Sequence, residues 1–156
     1  MTAIKHLLVA TDGSESAFKA AAFAGDLARG LGARVTVLMV QSEEAVLPHA
    51  WGVGEYPVAV PYASMTVEEV RTMLEERARE NELARTGEAI GKLAAPPDLV
   101  YRWGHAAEEI CRYAVDNDVD LMVIGSHGRS AFKRALLGSI SNAVANHATC
   151  PVTIVR

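Results

Sequence analysis

The sequence predicts a single α/β domain built on a parallel sheet, and three observations point to it. Short apolar-rich runs recur at residues 7–11, 35–40, 99–103, 121–124 and 151–155, as expected of strands covered on both faces. Between them lie segments whose apolar residues fall three or four apart, so strands and helices alternate and right-handed crossovers between parallel strands follow. The length, 156 residues, suits one domain that buries roughly 70% of its unfolded surface.

The first strand, 7–11, ends at Asp12-Gly13-Ser14, where Ser14 is placed to cap a helix. That helix carries Ala17, Ala20, Ala24, Leu27, Ala28 and Leu31 at helical spacing, and Gly30 and Gly32 are expected to end it. The second strand is VTVLMV, 35–40. Residues 41–65 then lose all periodicity and hold three of the six prolines with Gly52 and Gly54, so they read as a long loop insertion. Loops beyond about 15 residues are uncommon in compact domains and are often functional. Trp51, Tyr56 and Tyr62 in this loop suit either a cover for a ligand or partner chain or a plain surface excursion.

Thr66 and Glu69 form a capping box. The spacing predicts one long helix from there to about Leu93, with Val67, Val70, Leu74 and Ala78 along its buried stripe. Its mixed charges, from Glu75 to Arg85, are a solvated face held by i,i+4 pairs. Pro96 and Pro97 break the chain before the third strand, and Ala107, Ile110, Cys111, Ala114 and Val115 mark one side of the next helix.

Composition narrows the function classes. A net charge of −4 and a pI near 5.7 lack the basic footprint of a nucleic-acid binder. No stretch approaches the roughly 20 apolar residues that span a bilayer, and the apolar run in MTAIKHLLVATDGS is shorter than a secretory signal is expected to have, so cytoplasm is the expected location. Cys111 and Cys150 have no metal or redox spacing and read as packed thiols. His6, His49 and His147 are likewise scattered without ligand spacing.

The functional signal lies between Leu121 and Ser141, LMVIGSHGRSAFKRALLGSIS. A strand stops at Gly125, Gly128 follows, and Gly138-Ser139 comes after a further nine-residue spacer. Ser139 is read as the N-cap of the next helix, whose start offers unpaired N–H groups and about half a positive charge to an anion. Arg129, Lys133 and Arg134 bring cations, and Ser139 and Ser141 bring hydroxyls. This is no Walker loop: the nearest imitation, Gly87 to Leu93, has the wrong spacing and no hydroxyl. Nor does a dinucleotide fingerprint follow the first strand.

The pattern Gly-x2-Gly-x9-Gly-Ser at Gly125, Gly128, Gly138 and Ser139, with the opening VATDGS and the closing CPVTIV, resembles the ATP-binding branch of the universal stress protein family over nearly the whole chain. The resemblance implies a Rossmann-like, adenine nucleotide alpha hydrolase-like sheet of order 3-2-1-4-5 over 1–156. It also implies a cytoplasmic homodimer with ATP phosphates in the glycine loop; the apolar terminal strand from Pro151 to Val155 has an edge that a second subunit is expected to cover. Asp12 then lies near the adenosine or a bridging Mg2+, and the main chain around Val40 meets the adenine edge. The binding set it implies is Thr11, Asp12, Val40, Gly125, His127, Gly128, Arg129, Gly138, Ser139, Ile140 and Ser141.

With that strand order the winding reverses between strands one and four, where ligands of such sheets sit. Asp12 and Gly125 both end there, although Asp12 also suits a plain turn role beside Ser14. His127 suits either a phosphate contact or a role in orienting the turn. AMP or another adenine nucleotide meets the same phosphate argument as ATP. No second carboxylate is tied to the loop, so no catalytic residue is singled out and hydrolysis is expected to be slow or negligible. A hydrolase or nucleotidyl-transfer enzyme and a nucleotide-free interaction module are the competing readings.

Overall fold

The computed structural model describes residues 3–46, 65–128 and 137–156. Five parallel strands form one sheet in the order β3-β2-β1-β4-β5: β1 His6–Thr11, β2 Arg34–Gln41, β3 Asp98–Trp103, β4 Leu121–Gly125 and β5 Val152–Val155. The helices are α1 Glu15–Leu31, α2 Val67–Ala78, α3 Ala84–Ile90, α4 Ala106–Asp116 and α5 Ser139–His147. The α/β class, the order and each predicted strand are thus observed, with boundaries shifted by a residue.

Alternation along the buried strands sorts the side chains onto two cores. Leu7, Val9, Val35, Val37, Leu121 and Val123 pack with Ala20, Ala24, Leu83 and Ile90 on one face. Leu8, Ala10, Leu38, Met122 and Ile124 pack with Ile110, Ala114 and Val144 on the other. Every residue of β1 is buried, as its central place in the sheet requires.

Local chemistry sets the helix ends. Ser14 Oγ accepts from Ala17 N at 3.2 Å and starts α1, which runs through Gly30 and ends at Gly32 in the left-handed region, φ 66°. The capping box of Thr66 and Glu69 is present. The long helix expected to reach about Leu93 is interrupted by a π turn, Arg79–Leu83, where Ala84 N reaches back to the Arg79 carbonyl. It stops at Ile90 because Gly91 turns out of it with φ 77°. Leu31, Val67 and Val115, placed on buried stripes by spacing, are exposed; each lies at or near a helix end, where the stripe runs past the sheet.

A glycine the sequence does not distinguish fixes the α1–α3 packing. A Cβ on Gly25 would lie 2.0 Å from the Ile90 carbonyl oxygen. The same carbonyl accepts from Arg29 Nη1 at 3.0 Å. The C-terminal end of α3 is therefore pressed directly against the α1 backbone.

The opposite end of the sheet is closed by a buried histidine. His6 Nδ1 lies 3.1 Å from the Asn117 carbonyl oxygen, so it carries the proton, and Nε2 accepts from Thr36 Oγ1 at 2.9 Å. Asp120 accepts from the N–H groups of Lys5 and His6 beside it, and these bonds hold its carboxyl below the usual range.

Candidate functional site

The crevice beyond the carboxyl ends of β1 and β4 holds a cavity of about 460 Å3. Its location follows from topology: β1 pairs β2 on one side and β4 on the other, so the connections leave in opposite directions and open a gap. Of the residues expected there, Thr11, Asp12, Val40, Gly125, His127, Gly128, Gly138, Ser139, Ile140 and Ser141 line the cavity. Arg129, Lys133 and Arg134 lie outside the described residues, as do Trp51, Tyr56 and Tyr62 of the long loop. Sequence reasoning missed Ala10, Ala17, Ala106, Ile110, Ile124 and Leu137, apolar residues with no ligand chemistry of their own to mark them.

The β1 side presents a tight turn. Gly13 takes φ 74°, and Ser14 N donates to Asp12 Oδ1 at 3.0 Å, an Asx turn that holds the carboxylate at the rim. Its other oxygen, Oδ2, faces Gly128, where a Cβ would approach it to 2.9 Å.

The three motif glycines do different work, and backbone angle explains none of them, since each has ordinary φ. Space is what they supply. A Cβ on Gly125 would strike the first turn of α1, 2.5 Å from Ser16 Oγ and 2.7 Å from the Ser16 carbonyl carbon. One on Gly138 would press on the Ser126 carbonyl oxygen at 3.3 Å and His127 Cα at 3.5 Å. Among the described residues a Cβ on Gly128 would meet only the Asp12 carboxylate, a side chain and not backbone.

The β4 side is held by backbone. Ser126 N donates to the Val155 carbonyl at 2.7 Å, and Gly138 N donates to the Ser126 carbonyl at 2.8 Å. Gly138, and not Ser139, is the N-cap of α5; having no side chain, it leaves the helix start uncapped. Among the described residues the N–H groups of Ser139, Ile140 and Ser141 make no hydrogen bond. Ser141 is buried and its hydroxyl proton is directed at the carbonyls of Ser126 and Gly138, whereas Ser139 is exposed.

His127 Nδ1 pairs with Ser126 Oγ at 2.8 Å. Its Nε2 is buried without a hydrogen-bond partner among the described residues. The far wall is apolar, with Val40 from β2 and Ala106 and Ile110 from α4. The cavity therefore joins an electropositive helix end to a hydrophobic slot, an arrangement that suits a ligand with an anionic head and a flat apolar body. Among the described residues no group of three His, Cys, Asp or Glu side chains is placed to hold a metal, and no helix is long and apolar enough to cross a membrane.

A sequence model of the universal stress protein family matches residues 3–156. The chain is 33% identical over 150 residues to the universal stress protein YxiE of Bacillus subtilis, covering 96% of this chain and 97% of that one. Among solved structures, the hypothetical protein MJ0577 superposes with a TM-score of 0.78 at 24% identity, covering 99% of this chain and 96% of that one. A universal stress protein in complex with cAMP gives 0.61 at 24% identity, with 99% of each chain covered. The Archaeoglobus fulgidus universal stress protein in complex with dAMP gives 0.59 at 21%, covering 99% and 100%. These likenesses establish the fold. With the family match running from residue 3 to the last residue, and a relative one-third identical along almost its whole length, the chain belongs to the universal stress protein family.

Proposed function

We propose that this chain binds an adenine nucleotide, in the first instance ATP, in the β1/β4 crevice and works as a stress-response regulator with slow or negligible hydrolysis. The observation that carries the proposal is the uncapped start of α5, whose free N–H groups open onto the same cavity as Asp12 and Gly128. Phosphate at that helix end would receive the hydrogen bonds a capping side chain otherwise supplies. Val40, Ala106 and Ile110 offer the base an apolar slot. The adenine nucleotides in two relatives of the same fold support the ligand class, and AMP meets the same cradle as ATP.

Mg2+ fits this reading only as a companion of the phosphates. Asp12 is the one cavity-lining carboxylate among the described residues, so the ion would draw most of its ligands from the nucleotide and water. The same shortage of carboxylates argues for slow turnover, because nothing described positions a water for attack.

The reading extends to one nucleotide-binding domain over 1–156 and a homodimer in the cytoplasm. β5 is half-buried along its length and, among the described residues, pairs with β4 alone, leaving an edge that a second copy would cover. Burial pushes the thiols of Cys111 and Cys150 up, which suits reduced, unreactive cysteines. Denaturing the purified protein and identifying released small molecules by chromatography and mass spectrometry tests the ligand: an adenine nucleotide near one per chain is expected. Light scattering tests the assembly, and a monomer at micromolar concentration would overturn the dimer.

A further inference from the structure

Resting on the nucleotide reading of the β1/β4 crevice, we propose that Thr86, on a helix that does not line the cavity, is a positioning residue for the Asp12–Gly13 turn. The basis is a buried hydrogen-bond relay whose direction is fixed by proton counting. Thr11, the last residue of β1, and Thr86, in α3, place their hydroxyl oxygens 2.9 Å apart; Thr86 is 0% exposed and Thr11 8%. Either hydroxyl can donate if the pair is taken alone.

The surrounding bonds remove that freedom. Thr86 Oγ1 donates its only proton to the Glu82 carbonyl oxygen at 2.6 Å, so it can only accept from Thr11. Thr11 thereby spends its own proton on Thr86, and its oxygen accepts from the Gly13 N–H at 3.1 Å. The relay runs one way: Gly13 N–H to Thr11 Oγ1–H to Thr86 Oγ1–H to Glu82 C=O. Each bond polarises the next, which strengthens such a chain in a buried setting.

Two consequences bear on the site. The Thr11 hydroxyl, though its residue lines the cavity, has no proton left to donate to a ligand; its role is to hold Gly13. Gly13 is the residue at φ 74° that lets the chain turn after Asp12, so the relay sets where the Asp12 carboxylate and the main chain beside it stand. A threonine bonding back to the carbonyl four residues earlier is common in helices. What sets Thr86 apart is the second partner, 75 residues away in sequence. Its own position is firm, because the end of α3 rests on Gly25 and is held by Arg29.

The test is isothermal titration of ATP and AMP into nucleotide-stripped protein bearing Thr86→Val, Thr86→Ala or Thr86→Ser, at a temperature where each is fully folded. Val and Ala lack the hydroxyl; Ser keeps it and is smaller than Val. The proposal expects roughly three- to tenfold weaker binding for Val and Ala and near-wild-type binding for Ser. Gly13 amide exchange should speed up only in the first two. A purely structural role predicts the opposite order, with Val mildest because it keeps the volume, and changes in melting temperature without changes in affinity. Should the Val and Ala variants fail to fold, Thr11→Val against Thr11→Ser carries the same comparison from the other end of the bond. Wild-type affinity in a folded hydroxyl-free variant overturns the role of Thr86. Absence of binding in the wild type overturns the nucleotide reading instead.

Discussion

Gly128 and Asp12 face each other across the mouth of the crevice, with the site of a Gly128 Cβ only 2.9 Å from Asp12 Oδ2. Gly128 is exposed and its backbone angle is ordinary, and among the described residues a Cβ there would meet Asp12 alone, so no described backbone demands glycine there. Gly128→Leu is therefore expected to leave the melting temperature within a few degrees of wild type while weakening ATP binding by tenfold or more, about 1.4 kcal/mol. Calorimetry beside thermal denaturation checks both halves.

Gly125→Ala should behave in the reverse sense. Its Cβ would collide with the Ser16 backbone of α1, so destabilisation by about 1–3 kcal/mol is expected. Loss of binding in that variant follows from the damaged crevice. Urea denaturation should show the shifted midpoint even with no nucleotide present.

Gly25→Ala tests the packing of α3 on α1. The new methyl would meet the Ile90 carbonyl at 2.0 Å, and backbone cannot step aside as a side chain can, so a loss of about 2 kcal/mol or more is expected despite the better helix propensity of alanine. A stabilised variant in chemical denaturation would contradict the observed helix contact.

His6 makes stability depend on pH. Burial is the main cause that lowers its pKa, with Arg34 adding to it against the opposing carbonyl of Asn117. The unfolded chain, with histidine near 6.5, binds the proton first, so stability is full above that pH. It declines as pH falls from about 6.5 toward the lower folded value. His6→Gln, which cannot titrate, should flatten this decline in denaturation midpoints measured between pH 8 and 5.

Much of this architecture was legible in the chain because it is written locally. Apolar runs mark strands, Ser14 and the Thr66–Glu69 pair mark helix starts, and the spacing of Gly125, Gly128 and Gly138 marks the loop. What stayed hidden depends on contacts between distant segments. Gly25 looks like any helix-interior glycine until Ile90 is set against it, and Thr86 looks like a surface helix residue until it meets Thr11. The π turn Arg79–Leu83 leaves no mark in the pattern, since its residues read as continuing helix. Ile110 and Ala106 carry helical spacing alike whether they face core or cavity. Serine at a helix start is normally its cap, and Ser139 reads that way in sequence; the helix begins at Ser139 itself, and glycine precedes it.

The central claim is that the bare helix start beside Gly128 receives the phosphates of an adenine nucleotide. Titration of ATP into nucleotide-stripped, folded protein tests it most directly. The account predicts saturable binding at one site per chain that Gly128→Leu weakens without unfolding the domain. No saturation at millimolar ATP, or equal affinity in the Gly128 variant, would contradict it.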